Sequence, residues 1–178
     1  MSIDDAYNKA DALERLLLQR LSDIVQVAAL DLAADIANRV IETGEAADGS
    51  SFTPYSEKPL PAFFYLNRSA NAAGEAKVKQ AIKKKEPVSY KQFRGFNNRP
   101  VDKKNFSFRN LMWKAFGTKS VQSSGGIVVV TLGMNNPEAA KKLEYNNKRE
   151  GKNIIEPSPD ELKRLKARII AEILKYNV

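Results

Sequence analysis

The residues best suited to covalent chemistry are missing from this chain of 178 residues. It has no cysteine and no histidine, which removes thiol nucleophiles, thiolate metal sites and the usual acid–base side chain and zinc ligand. The stretch Gly44-Glu-Ala-Ala-Asp-Gly49-Ser50 has the glycine spacing of a phosphate-binding loop. It lacks the lysine that must reach the phosphates, and it follows a helical pattern where a strand is required. Asp48-Gly49 reads instead as a turn, with Phe52, Pro54 and Tyr55 as a small apolar anchor and Pro59 and Pro61 keeping the chain extended. The acid pairs Asp4-Asp5 and Asp160-Glu161 stand at helix starts, where negative charge suits the helix dipole. No nucleophile has a base at working spacing and no carboxylates cluster for a metal. The expectation is a non-enzyme without cofactor or metal.

The remaining chemistry is charge. Residues 67–119 hold fourteen Lys and Arg against three Asp and Glu, so the net +8 of the chain divides into +11 there and −3 elsewhere. Ten of the fifteen aromatics lie between Phe63 and Phe116, several interleaved with cations as in "SYKQFRGFNNRP". Cations neutralise phosphates and rings stack on bases, which makes Lys83, Lys84, Lys85, Lys91, Phe93, Arg94, Phe96, Arg99, Lys103 and Lys104 candidates for a DNA-facing or subunit-facing surface. The same aromatics can equally pack under a loop while the lysines face water.

The elements that would position these groups follow from periodicity. Over residues 3–41, Ile3, Tyr7, Ala10, Leu13, Leu17, Leu21, Ile24, Ala28, Leu32, Ile36 and Val40 recur at steps of three and four with no intervening proline or glycine. That predicts one amphipathic helix, with Ser2 and Asp5 marking its start and Gly44 its stop. About 40 residues at 1.5 Å each reach roughly 60 Å, more than a domain of this size is wide. Either the helix breaks near residues 25–30 or its stripe meets another subunit. Residues 72–85 form a polar helix candidate, and residues 86–105 read as irregular or extended. Ser107 opens a short helix turning Leu111, Ala115 and Trp113 or Met112 inward, with Gly117 ending it. Two β-rich runs then flank Ser124-Gly125-Gly126 as a hairpin, 127–132 being its clearest strand. A helix from Pro137 presents Ala139, Leu143 and Tyr145 and stops at Gly151. The last is capped by Ser158 with Glu161, and Leu162, Leu165, Ile169, Ile173 and Tyr176 form its stripe. The sum is a single α+β domain: a long helix over 3–43, a basic arm over 60–106, and a helix–hairpin–helix–helix core over 107–178 with the last helix packed across the small antiparallel sheet.

This order resembles the tail-completion or virion-morphogenesis proteins of tailed bacteriophages. The matching signals are "DGSSFTPYS" after a long helix, "RNLMWKAF" before the valine-rich "GGIVVVTLG", and "LEYNNKREGKNIIEPSPDELKRLKARIIAEIL", with Tyr145, Gly151 and Ser158 at its marked positions. Departures are Asn146-Asn147 and Ile155-Glu156, where the family commonly carries histidine and arginine, and residues 60–105, which stand as an insertion. The resemblance implies a virion structural role at the neck or tail. Subunits would assemble in the host cytoplasm as a homo-oligomeric ring against neighbouring neck, tail or portal-adaptor proteins. The competing expectation is a nucleic-acid-binding accessory protein using residues 77–119. The apolar runs are far shorter than the roughly 20 residues of a membrane span, and "MSIDDAYNK" is not a secretion signal, so a cytosolic chain without a membrane partner is expected.

Overall fold

The computed structural model describes residues 3–107 and 111–175. In the opening turns of the first helix it describes the side chains at positions 7, 8, 11, 12, 15, 16 and from 18 onward. The caps expected from Ser2 and Asp5, the acid Asp4, the stripe positions Ile3, Ala10, Leu13 and Leu17, and Tyr176 lie outside the described residues or side chains.

Ile3–Glu42 forms a single α-helix of 40 residues, α1, uninterrupted through positions 25–30. With no proline or glycine in its span, nothing in the backbone breaks it. Its stripe is buried from Ala28 and Leu32 through Ile36 to Val40, the last two fully. The helix stops where Thr43 Oγ1 donates to the Arg39 carbonyl at 2.7 Å and Gly44 turns the chain at φ +71. A Cβ at Gly44 would also lie 2.9 Å from Lys103 Cβ. The Lys103 ammonium donates to the Glu42 carbonyl, satisfying an orphan acceptor at the negative end of the helix. The expected turn follows: Ser50 N–H donates to Asp48 Oδ1 at 2.9 Å, while Phe52 and Tyr55 are buried.

Next comes an excursion with its own apolar centre. Strand β1 (Pro59–Pro61), a 3₁₀ turn (Ala62–Tyr65), α2 (Ala72–Lys84), β2 (Pro87–Ser89) and α3 (Tyr90–Phe96) follow in order. β1 and β2 pair antiparallel with Leu60 opposite Val88. Ala62, Tyr65, Val78, Ala81, Val88 and Phe93 form one buried cluster, flanked by Ile82, Tyr90 and Phe96. Residues 86–105 are thus not simply irregular. α3 is nucleated by a capping box in which Ser89 and Gln92 exchange hydrogen bonds, a pairing that satisfies two orphan donors.

The body is completed by α4 (Leu111–Lys114), β3 (Phe116–Ser124), β4 (Ile127–Met134), α5 (Pro137–Glu150) and α6 (Pro159–Leu174). Gly125 and Gly126 both have positive φ, as a two-residue hairpin turn of the favoured hand requires. β3 and β4 form a sheet of their own, against which α1 packs. Along β4, Val128, Val130 and Leu132 are half-buried and Ile127 and Val129 exposed, the period-two pattern of a sheet with one covered face. Val40, Ala46, Phe52, Met112, Trp113, Ala115, Met134, Ala139 and Ile154 make the second buried cluster.

Several expectations need correcting. In α4 it is Met112 and Trp113 that turn inward, while Leu111 is half exposed. Gly117 does not end that helix but sits in β3. Tyr145 leaves the apolar face of α5 and is 66% exposed. α6 runs along α1 rather than across the sheet. Asp35 pairs with Arg164 at 3.3 Å and Arg168 at 3.2 Å, and Arg39 with Glu161 at 2.9 Å, which fixes the two helices antiparallel. The predicted caps hold: Ser158 and Glu161 form a capping box, and Gly151 ends α5 in the left-handed conformation.

Candidate functional site

The ten cationic and aromatic candidates separate into two groups. Phe93 is buried and stacks on Tyr65 with ring centroids 4.5 Å apart, and Phe96 packs half-buried at the edge of the same cluster. Arg94 is only 1% exposed. Its Nε donates to the Pro100 carbonyl (2.9 Å), its two terminal nitrogens donate to the Ser107 carbonyl and to Asn105 Oδ1 (3.1 Å each), and its guanidinium lies 4.1 Å from the Tyr55 ring centre. Lys104 is buried in an ion pair with Glu150 at 2.6 Å and also donates to Thr53 Oγ1 at 2.8 Å. Lys103 is occupied at the end of α1, and Lys91 pairs with the exposed Glu57 at 2.6 Å. Arg99 is half-buried. Phe93, Arg94 and Lys104 therefore cannot present themselves to DNA, because Phe93 is buried in the excursion's own cluster and Arg94 and Lys104 are consumed in joining the excursion to the body. Lys83, Lys84 and Lys85 are exposed at the end of α2; only Lys84 has an acid near it, Glu86 at 3.9 Å.

The join itself is polar. Asn105 Oδ1 accepts from the Tyr55 hydroxyl, Arg94 and the Ser107 N–H, each at 3.1 Å, while the Asn105 carbonyl accepts from Trp113 Nε1 at 3.0 Å. Burial pushes the Tyr55 phenol above its ordinary value, with the Arg94 charge offsetting part of the rise. Burial would also raise the Glu150 carboxyl. The hydrogen bonds from Lys104 and Thr53, with the Lys104 charge, outweigh this and hold it below its ordinary value of 4.5. Arg39 ties the other end of the body: besides Glu161 it donates to the Glu45 carbonyl at 2.6 Å and the Glu156 carbonyl at 2.8 Å. Asn105, Glu150 and Arg39 were not singled out from the sequence. Their distant partners, Tyr55, Lys104 and Glu161, stand 50, 46 and 122 positions away, and no local spacing announces them.

Among the described residues three open surfaces bear on function. The first is α1, where Leu16, Val27 and Leu30 are 52%, 60% and 47% exposed. At 3.6 residues per turn these three share the side away from the Ala28–Val40 stripe, and Tyr7, on the stripe itself, is exposed as well. The second is a groove of about 490 Å³ between β1, the 3₁₀ turn and the end of α2, lined by Leu60, Phe63, Ile82 and Lys85 among others. Phe63 and Phe64 stack at its rim, both exposed. The third is a cleft of about 240 Å³ between the join and α5, lined by Tyr55, Tyr90, Arg94, Lys104, Phe106, Tyr145, Asn146 and Arg149. The turn residues Asp48 and Gly49 are exposed while Pro54 lies beside the buried Tyr55; Lys152 lies 3.9 Å from Asp48. Among the described residues no group of three or more acidic side chains could hold a metal ion, and no helix is long and apolar enough to cross a membrane. The chain matches no protein-family model, no curated protein and no solved structure.

Proposed function

We propose that this chain is a structural subunit that works by assembly: a virion protein of a tailed phage, closing into a ring at the neck or tail end to complete the tail or join it to the head. The observation that carries the reading is α1. A soluble helix covered on one side keeps its other side polar, yet here Leu16, Val27 and Leu30 project from the uncovered side. The exposed Ile127 and Val129 of the hairpin offer a second apolar surface. Ring closure requires a heterologous contact, one surface of each copy against a different surface of the next. A long helix and an apolar hairpin face are two such different surfaces. An accessory role in nucleic-acid binding through residues 77–119 is less well supported, since Arg94, Lys103 and Lys104 serve the fold internally.

Light scattering on the purified protein across a wide concentration range tests this, with and without a phage portal ring. The expected outcome is a discrete oligomer or a complex with the portal. Leu16→Glu with Val27→Glu, both outside the buried stripe, should abolish it while leaving the circular dichroism unchanged. A monomer at every concentration that also ignores the portal ring overturns the reading.

A further inference from the structure

We infer that the cleft between the join and α5 binds a nucleotide unit of single-stranded nucleic acid, its base stacking on Tyr145 and its phosphate meeting Arg149. This rests on the cleft alone and does not depend on ring assembly.

Charge is the first ground. Arg94 is buried with only neutral partners, the carbonyls of Pro100 and Ser107, the Asn105 amide and the Tyr55 ring, and no ion pair to it is found among the described residues. With only neutral partners around it, its charge is uncompensated. Lys104 and Glu150 cancel one another at 2.6 Å. With Arg149 at the mouth the surroundings sum to +2, and none of the lining residues is acidic. Low-dielectric walls focus that field into the cleft, where it favours an anion.

Ring placement is the second ground. Tyr55 is already covered by Arg94 and meets Tyr90 edge-on at 5.7 Å, so both belong to the wall. Tyr145 is 66% exposed and stands four residues before Arg149 on α5, a spacing that places the two side by side. Such an exposed ring does nothing for the α5 core, where Ala139 and Leu143 supply the contact. A free aromatic face beside a free guanidinium is the pairing that holds unpaired bases and their phosphates. The cleft of about 240 Å³ has room for one base and not for a base pair, and a duplex offers no base face to stack upon.

The test is fluorescence anisotropy with a labelled oligothymidylate of about 12 nucleotides, within the usual site size of such binders, at low salt and with thymidine monophosphate as competitor. Binding is expected, weakened about tenfold by Tyr145→Ala, the effect of losing one stacked base. Arg149→Ala should lower the salt slope by about one. Both side chains are exposed, so circular dichroism should not change. If the mononucleotide competes as well per mole as the strand, the ligand is a free nucleotide; if it does not, the strand is the ligand. The inference fails if neither binds, or if both variants bind as tightly as the parent. It also fails if replacing Lys83, Lys84 and Lys85 by Ala removes the binding instead, or if an aromatic acidic peptide displaces the oligonucleotide better than nucleotides do. Light scattering of the same variants reads assembly separately, so a failure here leaves the ring proposal standing.

Discussion

The body and the excursion have apolar centres of similar make but are fastened in different ways. Around the body cluster, cations meet carboxylates: the buried Lys104 with Glu150 and the half-buried Arg39 with the buried Glu161. Inside the excursion the buried polar groups, Arg94 among them, meet neutral partners. Asn97, 2% exposed, donates to the Phe93 carbonyl at 2.8 Å and accepts from the Ala70 N–H at 2.7 Å, and Tyr65 stacks on Phe93. The difference shows that the positive excess of residues 67–119 is not one coating. Part of it is matched by acids of the body across the join, part is buried against neutral groups, and part is exposed: the lysines ending α2 together with Arg68, Lys77, Lys79, Lys114 and Lys119.

The largest expected effect tests the matched pairs. Lys104→Ala leaves Glu150 buried without its cation and should cost about 3–5 kcal/mol in denaturant unfolding. A loss under about 1 kcal/mol would show that the pair is solvated and the contrast unfounded. Acid gives the same pair a second test. Because Glu150 titrates below its ordinary 4.5 in the folded chain, its contribution is present above that pH and fades as pH falls below it. The double change Lys104→Met with Glu150→Gln should flatten that part of the stability–pH curve.

A smaller effect separates the two centres. A Cβ at Gly74 would sit 2.3 Å from Asn97 Oδ1, so Gly74→Ala forces that amide off the Ala70 N–H and should cost about 1–3 kcal/mol by overpacking. Hydrogen exchange should rise across α2 and α3 while α1 and α6 keep their protection. Uniform loss of protection would mean that the two clusters melt as one.

Next in size are the caps. Ser158→Ala and Ser89→Ala each remove a side-chain oxygen that accepts from a helix-start N–H and should cost about 1 kcal/mol. At the bottom of the scale, Lys83→Ala and Lys84→Ala should change stability by less than about 0.5 kcal/mol, since neither holds either centre together. Thermal or denaturant melts check both.

Legibility followed the same division. What is encoded within a few residues could be read directly: the capping box at Ser158 and Glu161, the stop at Gly151, the turn at Gly125 and Gly126, and the α1 stripe from Ala28 to Val40. α3 escaped although Ser89 and Gln92 carry the signature of a helix start, because its period, Tyr90, Phe93 and Phe96, spans only seven residues and is interrupted by Gly95. The burial of Arg94 and Lys104 was out of reach for a different reason. A cation looks solvent-facing until its partner is known, and Glu150 stands 46 positions from Lys104. Leu111 failed by one helical position, where its neighbour Met112 fills the core instead, and Tyr145 stands two positions beyond Leu143, which packs against the core as expected.

The fastening of Lys103 to the last carbonyls of α1 has a mechanical corollary. With residues 28–42 held against the sheet and α6 and roughly 37 Å of rod beyond them at 1.5 Å per residue, the helix behaves as a lever. A tilt of about 10° at the pivot sweeps the far tip through roughly 6 Å. Slight adjustments where rod meets clamp therefore decide what the tip can touch, and one sequence can meet differently spaced neighbours without refolding.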